Sequence, residues 1–280
     1  MARPAPPSSA RSLRPVAATS LLAAALLLAA PAPAREDGLD ARYGVSVAGI
    51  RIAELALTLL PEAGLTRARL ALESVGLAAA WNGARSELLA AIRRDGAGEP
   101  VPQRFEARLS KRDRERAVSL RYDAGGAIAG IEIRSRGRPR ESEVPPALRL
   151  GTVDPLTALE RLRVWLPRAA EGQAPGLITV PIFDGRKRLD LEARYVGRAT
   201  NGEGEPVHEL AVRLIGLFGF DEDDGFVELP NGERPDPLRV LVRADGSLLP
   251  LRIDVPSRRT GPVIELERDC RQEACPVPGG

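Results

Sequence analysis

The sequence predicts a mainly β protein: a curved antiparallel sheet (half-barrel or open barrel, about a dozen strands) with one short covering helix near residues 154–166. Three observations predict it. Apolar residues alternate with polar ones along run after run. Turn signals separate the runs. A single stretch breaks the alternation with a helical period.

Tyr43, Val45 and Val47 alternate with smaller or polar residues until Gly49 ends the run. Leu55, Leu57 and Leu59 alternate with Glu54, Ala56 and Thr58. Ala68, Leu70 and Leu72 alternate with Arg67, Arg69 and Glu73. Val118, Leu120 and Tyr122 follow the same rule, as do Leu189 to Tyr195, Leu238 to Arg243 and Leu249 to Val255. Each has one face fit for a core and one largely fit for water, as in antiparallel strands covered on one side. Pro61-Glu62-Ala63-Gly64, Asp123-Ala124-Gly125-Gly126 and Asp245-Gly246 supply turns between them.

The helical stretch opens at Asp154-Pro155, with Asp suited to the N-cap and Pro to the first helical position. Leu156, Leu159, Leu162 and Leu166 recur at three- to four-residue spacing, and Pro167 is expected to stop the helix. Residues 77–94 have helix-forming composition, but Asn82-Gly83 reads as a hairpin turn, which favours two strands. The Arg-, Glu- and Pro-rich stretch from Ser135 to Gly151 reads as an exposed connection between two halves.

The N-terminus predicts the compartment. Arg3, Arg11 and Arg14 precede an uncharged Leu/Ala run, Val16 to Ala30, and Ala32-Pro33-Ala34 offers small residues for cleavage. That order reads as a secretory signal peptide over residues 1–34, cleaved after Ala34, with a periplasmic destination. The apolar run is short for a membrane span, and no later run is long enough for one. Residues 35–268 then form a single β domain, and residues 269–280 a tail with two cysteines.

Composition excludes some functions. Three of the 40 Lys and Arg and none of the 38 Asp and Glu precede residue 35, so the mature part is close to neutral. A mixed, near-neutral surface gives no case for nucleic acid. Arg far outnumbers Lys (Lys111 and Lys187 alone), which reads as genome composition rather than a phosphate-binding surface. Scarce aromatics argue against a sugar-stacking platform. Cys270 and Cys275 are the only cysteines. They are read as a tail disulfide that contributes at most about 2 kcal/mol, with free thiols and a redox role as the alternatives.

The order of features along the chain is distinctive. Tyr43-x-Val45-x-Val47-x-Gly49 opens the chain, and Pro102-Gln-Arg-Phe105 leads an Arg-rich strand. Val153-Asp154-Pro155-Leu156-Thr157-Ala158-Leu159 opens the helix, and Phe183-Asp184-Gly185-Arg186 a hairpin. Leu249-Pro250-Leu251-Arg252-Ile253 precedes a final strand through Val263 and Leu266. Over residues 40–268 this resembles the DUF3108 family of exported proteobacterial proteins, whose function is unassigned. The resemblance implies a fold similar to the periplasmic lipoprotein carriers, a curved half-barrel with helical cover over an apolar concave face. The long acidic Phe218 to Pro237 stretch and the paired cysteines depart from the family pattern.

No constellation demands chemistry. Gly49, Asp154, Pro155, Leu156, Asp184, Gly185 and Arg186 carry the resemblance and read as structural: Asp154 as a cap, Asp184-Gly185 as a turn. His208 is the only histidine and reads as a strand residue; catalytic and metal constellations want more. The Asp221 to Gly225 acidic cluster reads as a solvated loop ahead of a cation site, because the twelfth position from Asp221 is Gly232 rather than a closing Glu. No catalytic, cofactor-binding or metal residues are assigned. The expected function is non-enzymatic: binding or carrying a lipid or other apolar ligand in the concave face. An envelope-assembly protein binding a protein partner and a carboxylate-dependent hydrolase are the alternatives.

Overall fold

The computed structural model describes residues 38–112, 114–220, 227–229, 232, 235–256, 261–271 and 275, apart from the side chains of residues 81 and 82. The segment 1–34 read as a signal peptide and the acidic cluster at 221–225 lie outside the described residues.

Among the described residues, fourteen antiparallel strands form one sheet. The first eight are β1 (Leu39–Val47), β2 (Ile50–Glu62), β3 (Leu65–Ser74), β4 (Arg85–Arg94), β5 (Pro100–Lys111), β6 (Arg114–Tyr122), β7 (Ile128–Ser135) and β8 (Arg138–Arg140). The remaining six are β9 (Leu177–Phe183), β10 (Arg188–Thr200), β11 (Pro206–Phe218), β12 (Leu238–Arg243), β13 (Pro250–Asp254) and β14 (Pro262–Asp269). Two meanders, β1 to β8 and β9 to β14, join where β1 pairs with β14, so the sheet's free ends are β8 and β9.

Register explains the core. Leu39, Leu59, Ala68, Ala90, Phe105 and Leu120 are successive cross-strand partners and form one buried row. Ala41, Leu57, Leu70, Leu88, Ala107 and Val118 form the next. Because side chains alternate with period two, rows two residues apart share one face. Both rows belong to the main hydrophobic cluster, together with Leu156, Phe183, Val207 and Leu249.

The helix α2 (Pro155–Ala170) packs on β9 and β10 and reaches β4 and β5. It runs past Pro167, where the sequence predicts a stop. Proline removes one intrahelical donor. The last turn persists because Trp165, Leu166 and Ala169 are buried against Ala193, Leu210 and Val212, and the Trp165 indole N–H donates to the Pro175 carbonyl at 2.8 Å.

A second correction falls on residues 77–94. Only their second half is a strand; Gly76–Asn82 is a helix, α1. Gly83 is its left-handed C-cap, φ 51°, and donates to the Ala79 carbonyl. Asn-Gly suits a helix C-terminus as well as a hairpin, since both want positive φ. Ala48-Gly49, with φ of 53° and 78° between β1 and β2, is one of the two-residue hairpin turns.

A third, partial correction concerns the connection after Ser135. Most of the stretch from Ser135 to Gly151 is exposed, as expected, but it carries the short strand β8 and buries Val144, and together with the residues that follow it ties the sheet's open seam. The Ser142 hydroxyl donates to the Gly185 carbonyl at 2.8 Å. Val153 makes a parallel bridge to Ile182 on β9, with backbone bonds to Pro181 and Phe183 at 2.9 Å each. The Arg188 guanidinium donates to the Leu148 carbonyl at 2.9 Å.

Candidate functional site: the open mouth of the sheet

The third register row is different. Tyr43, Leu55, Leu72, Ser86, Leu109 and Arg116 are successive partners across β1 to β6. Only Tyr43 in it is buried; Leu109 is 40% exposed. The first five line a cavity of about 700 Å³. Arg42, Arg69, Arg85 and Arg108 line it too, with Glu54, Glu73 and Glu87. Such a volume is in the range of small-molecule sites.

The charged residues of this cavity are mostly matched. Arg85 meets Glu73 at 2.6 Å and Arg69 meets Glu87 at 2.8 Å. Their aliphatic stems can cover apolar surface while the heads stay in water. The result is an apolar strip bordered by ion pairs, suited to an apolar or amphiphilic molecule. The Tyr43 hydroxyl is buried without a hydrogen-bond partner among the described residues. Burial, reinforced by nearby Asp269, holds its pKa well above the ordinary phenol value, so it stays protonated.

The residues singled out by sequence do not line this cavity. Asp154 is wholly buried as the α2 cap. It accepts from the Leu156 and Thr157 amides at 3.0 and 2.9 Å and from the Thr157 hydroxyl at 2.6 Å. Burial raises its pKa against the lowering effect of these bonds. Pro155 follows at the first helical position, and Leu156 enters the core. Asp184 accepts from the Arg186 and Lys187 amides at 2.8 and 2.6 Å, and Gly185 takes φ 97°. His208 is buried on β11 with the Tyr195 hydroxyl 3.3 Å from Nδ1; burial and then Arg198 lower its pKa. Cys270 and Cys275 are joined as a disulfide, Cα atoms 5.3 Å apart. Among the described residues, no group of three or more His, Cys, Asp or Glu is placed to hold a metal ion, and no helix is long and apolar enough to cross a membrane.

In the sequence Tyr43, Leu55 and Leu72 read as ordinary strand residues. Alternation places them on the core face, but only cross-strand register shows that they share one row at the mouth.

An open, helix-covered antiparallel sheet with a cavity at one mouth defines a β-barrel-like protein class. The family model for a protein of unknown function, DUF3108, matches residues 42–256, and the chain belongs to that family. Among solved structures, the chain is similar to a beta-barrel-like protein of the domain of unknown function DUF1849 from Brucella abortus. The two are 12% identical, with 82% of this chain and 96% of that chain covered and a TM-score of 0.46. No curated protein matches the chain.

Proposed function

We propose that this protein is a periplasmic, non-enzymatic binding module that holds or carries an apolar or amphiphilic ligand at the mouth of its open sheet. One observation carries the reading: Leu55, Leu72 and Leu109, aligned in one register row and none of them fully buried, line a ligand-sized cavity. Periplasmic residence rests on the signal-peptide order of residues 1–34 and agrees with the Cys270–Cys275 disulfide.

Two features favour this over the alternatives. The cavity's Glu73 and Glu87 are neutralised by arginines rather than poised as an acid–base pair. Strand addition has poor edges: β8 is three residues, Arg138-Pro139-Arg140, and β9 is bridged by Val153.

The test is a titration with N-phenyl-1-naphthylamine, whose fluorescence rises in apolar surroundings. Saturable one-to-one binding that Leu72→Arg weakens at least tenfold, with an unchanged melting curve, is the expected result. Absence of saturable binding to the wild-type protein overturns the proposal.

A further inference from the structure

The cavity at the mouth continues beyond Ser110. A second cavity, about 740 Å³, shares Leu72, Arg85, Ser86, Leu109, Ser110 and Glu115 with the first. It runs along the ends of β5 to β8, where Lys111, Arg114, Arg116, Arg136, Arg138 and Arg140 line it. Glu115 is the one carboxylate among its described lining residues.

Three observations set this cluster apart. None of those six cations makes an ion pair among the described residues, whereas Arg69 and Arg85 in the first cavity do. Lys111 and Arg114 are direct cross-strand partners, an arrangement in which like charges repel. Arg116, the last member of the mouth row, is partly buried beside Arg186, and its pKa is lowered by burial and then by that neighbour; Asp184 and Glu143 offset this only in part.

Among the described residues, six cations without an ion pair and a single carboxylate line this cavity, which favours an anion there. Arginine's planar fork matches the oxygens of a phosphate. The apolar strip and the basic cluster meet at Leu72, Ser86 and Leu109, so one molecule can span both.

Building on the ligand-binding reading above, we infer that the mouth takes an amphiphile with a phosphate headgroup. Its chain lies along Leu55, Leu72 and Leu109, and its phosphate lies among Arg114, Arg116, Arg138 and Arg140.

The experiment is calorimetric titration of the whole mature protein, below micelle-forming concentrations, with three probes. These are dodecyl phosphate, the uncharged tetraethylene glycol monododecyl ether, and inorganic phosphate. The wild-type protein is expected to bind dodecyl phosphate at least tenfold more tightly than the ether and at least tenfold more tightly than inorganic phosphate. The exposed triple variant Arg114→Gln, Arg138→Gln, Arg140→Gln should lose the preference for dodecyl phosphate and keep its affinity for the ether. Should the variant not fold, the salt dependence of the wild-type protein decides: dodecyl phosphate binding must weaken with added NaCl while ether binding does not. Equal affinities for the two amphiphiles overturn the headgroup assignment and leave the binding reading standing. Inorganic phosphate bound as tightly as dodecyl phosphate makes this a free-phosphate site and overturns the amphiphile. If neither amphiphile binds, the binding reading itself falls.

Discussion

Gly185, in the turn between β9 and β10, sits directly against Val118 of β6: a Cβ on Gly185 would collide with the valine Cγ1. The contact brings the far end of the second meander onto the first, across strands that share no hydrogen-bonded neighbour. Gly185 also holds φ 97°, which disfavours any side chain. Gly185→Ala therefore suffers both a clash and backbone strain. The expected cost is about 2–4 kcal/mol, read as a lowered midpoint in urea denaturation.

Asp154 gives a prediction with a sign in pH. Its pKa is raised by burial, so the charged form is the disfavoured one in the folded protein. This stability is present below the ordinary aspartate pKa and is lost as pH rises through the raised value. Asn can accept the same two amide hydrogens and donate to the Thr157 hydroxyl. Asp154→Asn is thus expected to hold or raise neutral-pH stability and to remove the pH dependence. Asp154→Ala loses the cap and costs about 1–2 kcal/mol. Thermal melts of both variants across pH 3 to 8 check this.

Tyr43 predicts the alkaline limb. Its buried hydroxyl resists ionisation, while in the unfolded chain it ionises near pH 10, so folded stability is full below that pH and lost above it. Tyr122 behaves alike, its pKa raised by burial and then by Asp154. Tyr43→Phe removes a buried hydroxyl that has no partner among the described residues. It should raise neutral-pH stability by about 1 kcal/mol and shallow the loss above pH 10, leaving the share from Tyr122. Denaturation midpoints between pH 7 and 11 measure both effects.

Glu160 is buried on α2, with Arg163 at 2.7 Å and Arg94 at 3.5 Å. Glu160→Ala removes the carboxylate that both guanidinium groups face and should cost about 3–5 kcal/mol. Circular dichroism melts of the variant should show a transition that is lower but still cooperative.

Much of this architecture can be read from the chain because each strand advertises itself locally. Leu55, Leu57 and Leu59, or Leu189 and Leu191, alternate clearly enough to fix strand and face. The Asp154-Pro155 start was legible because capping chemistry is local. The end of α2 was not, since the packing of Trp165 and Ala169 against distant β10 and β11 decides it over Pro167. Asn82-Gly83 misled because one positive-φ signal serves two kinds of chain reversal. The site was hidden for a deeper reason. Leu55, Leu72 and Leu109 are far apart in sequence, and only register aligns them at the rim. The arginine cluster had a visible trace in the Lys111 to Arg116 run and in Arg136, Arg138 and Arg140. Read one by one, those residues look like ordinary surface composition.

The most direct measurement of the central claim is native mass spectrometry of the protein purified from its own cells without detergent, followed by organic extraction of whatever is bound. The account predicts a stoichiometric adduct that extraction releases as an amphiphile with an apolar chain. A mass equal to the bare chain, unchanged after incubation with extracted envelope lipids, would contradict it.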